Sequence, residues 1–209
     1  MSFGKAYVAP RMFLNEQLKL SDLPPEHSSA FYGKVRNVRL NPGFQLYKFT
    51  SYDMKNPAGV ITPWWSPVPP YEIDPGLQSR LDLANRLHVH ASDLSRSFAA
   101  VSEDWNKLES ILVVRLEKFV HGLWGPVAAQ PRQQADFRKG KETPKEQQGA
   151  GIQLGDGRVL HIRTHNLPGK AWQFYIPNMT DDHVVQVSKT AVAAPQTRVV
   201  IPPTRPLKV

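Results

Sequence analysis

The sequence predicts an α+β fold, a mixed and mainly antiparallel sheet around a cleft with a central helical segment packed on it. Three observations predict it. Short β-branched and aromatic runs recur near both ends, the middle of the chain reads at helical period, and 19 Pro and 13 Gly among 209 residues break the chain into short elements joined by turns.

Residues 1–30 carry scattered apolar anchors (Phe3, Tyr7, Phe13, Leu14, Leu18, Leu20) and end in Leu23-Pro24-Pro25, an arm laid over the core and closed by a turn. One domain is expected over 31–195. Its first strand candidates are Tyr32–Leu40, then Phe44–Thr50, which Asn41-Pro42-Gly43 introduces, and Gly59–Thr62. Trp64–Pro70 is excluded as a central strand because its prolines lack ladder donors. Asp74-Pro75-Gly76 starts a helix on which Leu77, Leu81, Ala84 and Leu87 recur, with a break near His90 to Ser92. A second, clearer helix is predicted from a Ser102 cap through Trp105, Leu108, Ile111, Leu112, Leu116 and Phe119 to Gly122. Leu123–Ala129 reads as a strand. Gln130–Gly151 is too poor in apolar residues to pack and is expected to be a mobile insertion. Strands resume at Arg158–Arg163, Ala171–Ile176 and His183–Val187, with turns at Gly155-Asp156-Gly157 and Pro168-Gly169, and an extended tail covers 196–209.

A chain of this length can bury roughly 70% of its unfolded surface, enough for a real core. The absence of Cys removes disulfides, thiolate nucleophiles and cysteine-ligated metals. No segment approaches the ~20 apolar residues of a membrane span, and the first residues lack the apolar run of a signal peptide. The expected location is therefore the cytoplasm, or a target cell reached without a cleavable signal. The net charge of +8 is spread over strand and loop regions, since residues 77–120 hold six Lys or Arg against six Asp or Glu. That distribution is unlike a recognition helix, so nucleic-acid binding through Phe31, Tyr32, Arg36 and Arg39 ranks last among the readings.

The phosphate-binding Gly-x-x-x-x-Gly-Lys-Ser/Thr loop, the Gly-x-Gly-x-x-Gly dinucleotide fingerprint and the Gly-x-Ser-x-Gly nucleophile elbow are all missing. His88 and His90 lie in a helical pattern two residues apart, so they do not share a face, and His161 is a lone histidine on a strand. No metal site is expected. What remains is a constellation in three segments, each pairing a polar residue with aromatics: Leu46-Tyr47-Lys48-Phe49-Thr50, Pro63-Trp64-Trp65-Ser66 and Trp172-Gln173-Phe174-Tyr175-Ile176. Such a set offers stacking faces for a planar ring, a cation for phosphate and an amide or hydroxyl to orient the ligand, although aromatics on strands are more often core.

In their order these segments resemble the ADP-ribosyltransferase-like toxins and effectors. The resemblance implies NAD as cofactor, a transferase or NAD glycohydrolase activity, and a target or immunity protein as partner. It places Lys48 where that family has Arg or His, Ser66 with Trp64 and Trp65 at the middle motif, and Gln173 at the late acidic position, with Trp172 beside it. Gln173 and Ser66 would be catalytic, and Lys48, Trp64, Trp65 and Trp172 would bind the cofactor. Lys can hold a phosphate as a point charge, whereas Gln can bond a ribose hydroxyl but carries no negative charge. The alternative from a different class is a non-enzymatic module that docks another protein on Trp64–Pro70.

Overall fold

The computed structural model describes residues 13–103, 105–131, 152–153, 159–160 and 166–192. The expected insertion from 132 onward, His161, the Gly155–Gly157 turn and the C-terminal tail lie outside them. Described helices are α1 (Pro25–Ser28), α2 (Gly76–Leu87) and α3 (Ala91–Ala99). Described strands are β1 (Arg36–Leu40), β2 (Gln45–Thr50), β3 (Trp64–Pro67), β4 (Ser110–Leu116), β5 (Val120–Pro126), β6 (Gln130–Pro131), β7 (Ile152–Gln153), β8 (Val159–Leu160), β9 (Asn166–Leu167), β10 (Trp172–Tyr175) and β11 (Val184–Ala191). Seven of these form one sheet in the order β1-β5-β10-β3-β2-β4-β11, and every pairing between these seven strands is antiparallel. The α+β class therefore holds.

The connectivity dictates the shape of the sheet. β4 and β5 stand four places apart in it, which in a flat sheet is about 19 Å at ~4.8 Å per strand. The chain from Leu116 to Val120 spans at most about 14 Å. The sheet must therefore fold over on itself, with β3 at the middle. Its inner face encloses the main core, where Leu46, Trp65, Leu112, Val114, Leu116, Val120, Trp124, Phe174 and Ile176 are almost wholly buried. The outer face is covered by α2 and α3 over Tyr47 and Phe49 and by the arm, through Leu18, Leu20, Leu23 and Phe31, over Leu123 and Tyr175. Asn37 fixes the arm by donating to the carbonyls of Asn15 at 3.0 Å and Leu18 at 2.9 Å.

Three sequence expectations are corrected. Among the described residues of 102–122 there is no helix: they form a loop, then β4, then a reversal into β5. The i, i+4 recurrence of Leu108, Leu112 and Leu116 mimics a helix, but Leu112, Val114 and Leu116 also alternate at period two and are the ones buried on the inner face. β-branched Ile111, Val113 and Val114 favour the pleated choice. Trp105, expected in the stripe, is 47% exposed, and Gly122 lies within β5, where a Cβ would come within 2.8 Å of Ile176 Cγ1. Secondly, Gly59–Thr62 is irregular, and the strand forms instead at Trp64–Pro67, in the centre of the sheet.

The third correction is the proline argument itself. Val68 N–H donates to Gln45 O on the β2 side at 3.0 Å, while Ile176 N–H donates to Pro63 O on the β10 side at 2.8 Å. Backbone groups alternate between the two edges of a strand. Pro63 and Pro67 therefore both direct their missing donors toward β10, and Ser66 and Val68 remain free to bond β2. A strand of four residues tolerates this.

The helical start is as expected, since Gly76 N–H donates to Asp74 Oδ1 at 2.9 Å. Gly76 is required there: its φ is +79° and a Cβ would fall 2.7 Å from Val68 O. α2 buries Ala84 and packs Leu77 and Leu81 on the sheet, but Leu87 is 42% exposed.

Leu112→Ala is expected to lower stability by about 2 to 5 kcal/mol, because it empties a site in the folded-over core. Trp105→Ala is expected to change it by less than about 1 kcal/mol. Denaturant melting of the two variants checks both, and comparable losses would restore the continuous stripe.

Candidate functional site

β3 is paired with β2 over only two residues, Leu46↔Pro67 and Tyr47↔Ser66. Beyond them β2 continues along β4, whereas β3 continues along β10 through Trp65↔Phe174 and Trp64↔Tyr175. The two halves of the sheet separate there, and a cavity of about 720 Å³ lies at the separation. β2 contributes Tyr47, Lys48, Phe49 and Thr50 to its wall. The other side is Thr62, Pro63, Trp64, Ser66 and Gln173. α1, the end of α3 and the loop after α3 complete it through Glu26, His27, Ala99, Trp105 and Asn106.

A polar row crosses the outer face at this point. Strand register sets Tyr47 beside Ser66, and continuing the β3–β10 register sets Ser66 beside Gln173. Gln173 Nε2 donates to Ser66 Oγ at 3.3 Å, and Ser66 is also hydrogen-bonded to Tyr47. Burial, with a further push from the Asp74 charge, holds the Tyr47 phenol far above its ordinary value despite the opposing pull of Arg80, so Tyr47 stays neutral. Behind it lies a buried ion pair. The Arg80 guanidinium meets the fully buried Asp74 carboxylate, which also receives the α2 N-terminal bond. Helix start, ion pair and tyrosine are thus one connected support.

The loop from Val101 to Leu108 is held as firmly. Arg96 donates to Val101 O and Asn106 O, both at 2.8 Å. Asn106 Oδ1 accepts from Ser51 N–H at 2.9 Å and Leu108 N–H at 2.8 Å, and its amide donates to Thr50 Oγ1 at 3.2 Å. Trp105 is consequently carried at the cavity wall as an exposed ring.

No protein-family model matches the chain, and no curated protein matches it. Among solved structures it is similar to one described as Rhs1-CT in complex with cognate immunity protein RhsI1. The TM-score is 0.41 at 11% identity, and the match covers 78% of this chain and 84% of that chain.

Of the residues singled out in the sequence, Lys48, Trp64, Ser66 and Gln173 line the one cavity, and Trp65 and Trp172 do not. Trp65 is completely buried on the inner face. Trp172 packs on Trp124, with ring centroids 5.5 Å apart. Lys48 and Ser66 are not on the same face. Alternation along β2 puts Lys48 with Leu46 and Trp65 on the inner side, and its ammonium sits 4.0 Å from the centroid of the Trp65 ring. It also donates to Thr62 Oγ1 at 2.6 Å, so it meets the cavity through the gap between the separating strands.

Glu26, His27 and Asn106 were not singled out in the sequence, and Tyr175 entered only as one of the aromatics of its segment. His27 Nδ1 is 2.6 Å from the Tyr175 hydroxyl, and Tyr175 stands edge-on to Trp64 with centroids 5.0 Å apart. Pro24-Pro25 ahead of Glu26-His27 was the available signal, a proline at the first helical position that starts a turn rather than only closing the arm. The proposed docking segment Trp64–Pro70 is not a surface loop: Trp65, Ser66 and Pro67 are buried, and only Pro69 and Pro70 are exposed. Phe31 is also buried, Arg36 pairs with Glu72, and Arg39 lies over Phe119 at 4.5 Å. Among the described residues no group of His, Asp or Glu is arranged to hold a metal ion.

Burial lowers the Lys48 amine to about 7. Its unfolded value is about 10.4, so between pH 7 and that value the unfolded chain binds the extra proton and stability rises with pH. Relative to Lys48→Met, the wild type is expected to gain roughly 1 to 2 kcal/mol between pH 7 and 8.5. Chemical denaturation of both proteins at the two pH values measures this. A difference that does not change with pH would show an amine titrating at its ordinary value.

Proposed function

We propose that the cavity is a dinucleotide site that takes NAD, and that the chain is an ADP-ribosyltransferase-like effector that cleaves or transfers from it. The observation that carries this reading is the meeting of Lys48, Trp64, Ser66 and Gln173 on one cavity of about 720 Å³. That volume lies within the ~300–1,000 Å³ of small-molecule sites. Each wall has a matching task. Trp64 is half-buried beside Phe31 and Tyr175 and offers an aromatic wall for a planar ring. Lys48 carries an amine that is cationic below about pH 7 and whose partners among the described residues are a hydroxyl and an indole face, so a phosphate oxygen supplies the missing negative charge. Ser66 and Gln173 present a hydroxyl and an amide, already oriented by Tyr47, to a ribose hydroxyl.

Chemistry at this site centres on the bond between the ribose C1′ and the nicotinamide nitrogen. The leaving nicotinamide departs neutral with the bonding pair, and positive charge develops on the ribose. Gln173 and Ser66 position that sugar, and the buried Asp74–Arg80–Tyr47 support keeps the two from rotating away. As an effector, the chain would have a target and an immunity protein as partners.

Calorimetric titration of the purified chain with NAD tests the reading. Saturable binding is expected, weakened at least tenfold by Lys48→Met and by Gln173→Ala, with nicotinamide released on incubation. Binding to Lys48 is expected to weaken as pH rises above about 7, where the amine loses the proton that attracts phosphate. Absence of any NAD binding by the wild type would overturn the reading.

A further inference from the structure

Cleavage at a ribose C1′ leaves a positive centre, and none of the sheet residues on the polar row carries a negative charge to meet it. Gln173 and Ser66 are neutral, and burial keeps Tyr47 protonated. Among the described residues lining the cavity there is one carboxylate, that of Glu26.

Glu26 does not hang from a loose arm. α1 is tied to the end of β5 by Tyr32 N–H on Pro126 O at 3.1 Å and by Ala128 N–H on Ala30 O at 2.8 Å. Phe31, between those two bonds, is buried against Trp64 with ring centroids 4.9 Å apart. From the other side His27 is held to the Tyr175 hydroxyl at 2.6 Å. The Tyr175 phenol is raised by burial and then by the charge of Glu26, so the carboxylate acts electrostatically on a side chain that packs on Trp64. Glu26 itself is exposed and, among the described residues, is not engaged in an ion pair. It is an exposed carboxylate, on a backbone tied to the sheet, at the edge of a cavity that also presents an aromatic wall, a hydroxyl, an amide and an amine.

We propose that Glu26, supplied by α1 and not by the sheet, is the catalytic carboxylate of this cavity. The proposal rests on the NAD reading above. Its carboxylate faces the ribose C1′, stabilises the positive charge that builds as the C1′–nitrogen bond breaks, and accepts a proton from the water that then bonds to C1′. Nicotinamide leaves with the bonding pair, the water oxygen forms the new bond, and the proton passes from Glu26 to solvent. The products are nicotinamide, ADP-ribose and one proton.

The test compares wild type, Glu26→Gln and Glu26→Asp, measuring NAD affinity by calorimetry and nicotinamide release as kcat. Because Glu26 is exposed, the melting temperature should not move. Glu26→Gln is expected to retain NAD affinity within about threefold and lose at least 100-fold in kcat, with Glu26→Asp recovering part of it. Unchanged kcat in Glu26→Gln with NAD still bound would overturn the assignment and leave the NAD site standing. An equal loss of affinity and rate would also overturn it, by showing that Glu26 only holds ligand. So would wild-type binding without nicotinamide release. Failure of the wild type to bind NAD at all would overturn both readings together.

Discussion

Everything in this molecule hangs on the four residues of β3. Two half-sheets, β1-β5-β10 on one side and β2-β4-β11 on the other, are joined through it, and it spends two residues of register on each neighbour. The bounding prolines make such a short strand stable in a central position, since both withhold a donor from the same side and a carbonyl of one still accepts there. Shortness has a geometric consequence. A strand that lets go of β2 as it engages β10 leaves a wedge between them. The three-residue link between β4 and β5 forces the halves to close over the inner core, and the outer side of the fold line is left to open. The cavity is this opening, walled by whatever side chains the outer face, α1 and the loop after α3 present to it.

The inner and outer faces then divide the aromatic residues in a way that composition could not reveal. Trp65, Trp124, Phe174 and Trp172 belong to the inner stack, and Trp64, Tyr47, Phe49 and Tyr175 to the outer face. Adjacent tryptophans at 64 and 65 have opposite duties because a strand alternates its sides. Lys48 is the exception that links them. It begins on the inner side over Trp65 and borders the cavity, at a cost of desolvation that lowers its amine to about 7. A carboxylate at hand would have neutralised that cost. Among the described residues the amine has a hydroxyl and an indole face instead.

The strands that could be read in the sequence were those with local signals. Phe44–Thr50 follows an Asn-Pro-Gly turn, Ala171–Ile176 follows Pro-Gly, and Asp74-Pro75-Gly76 starts a helix at the residue that its side chain caps. Where the reading failed, two periods competed. The stretch from Leu108 to Phe119 satisfies an i, i+4 pattern and an i, i+2 pattern at once, and nothing local favours the second strongly except the β-branched run Ile111, Val113, Val114. What decides is tertiary: β2 and β11 flank β4 on both edges, and a helix there would leave β11 unpaired and β2 with only its two-residue pairing to β3. Trp64–Pro67 failed for the opposite reason. Residue type alone does not say which edge of the strand each missing donor faces, and that depends on the pairing with β10, more than 100 residues away.

The site was legible only as a collection of residue types. Ser66 and Gln173 were both singled out, yet their contact spans 107 positions and follows from the β3–β10 register, which no local pattern encodes. Glu26 was invisible for a related reason. In sequence it is one acid in an arm ending in a proline pair, and only the bonds of Tyr32 and Ala128 across β5 turn that arm into a wall of the cavity. The division of labour that results is physically sensible. The sheet supplies groups that must not move and cannot bear an exposed charge, namely the hydroxyl–amide row supported by the buried Asp74–Arg80 pair. A fully ionised carboxylate in the same row would have faced the desolvation that the outer-face packing imposes on Tyr47. Glu26 is set on α1 at the solvent edge, and the neutral amide at 173 packs against Ser66. In this fold the sheet supplies the neutral hydroxyl and amide of the cavity wall, and α1 supplies the one carboxylate among its described lining residues.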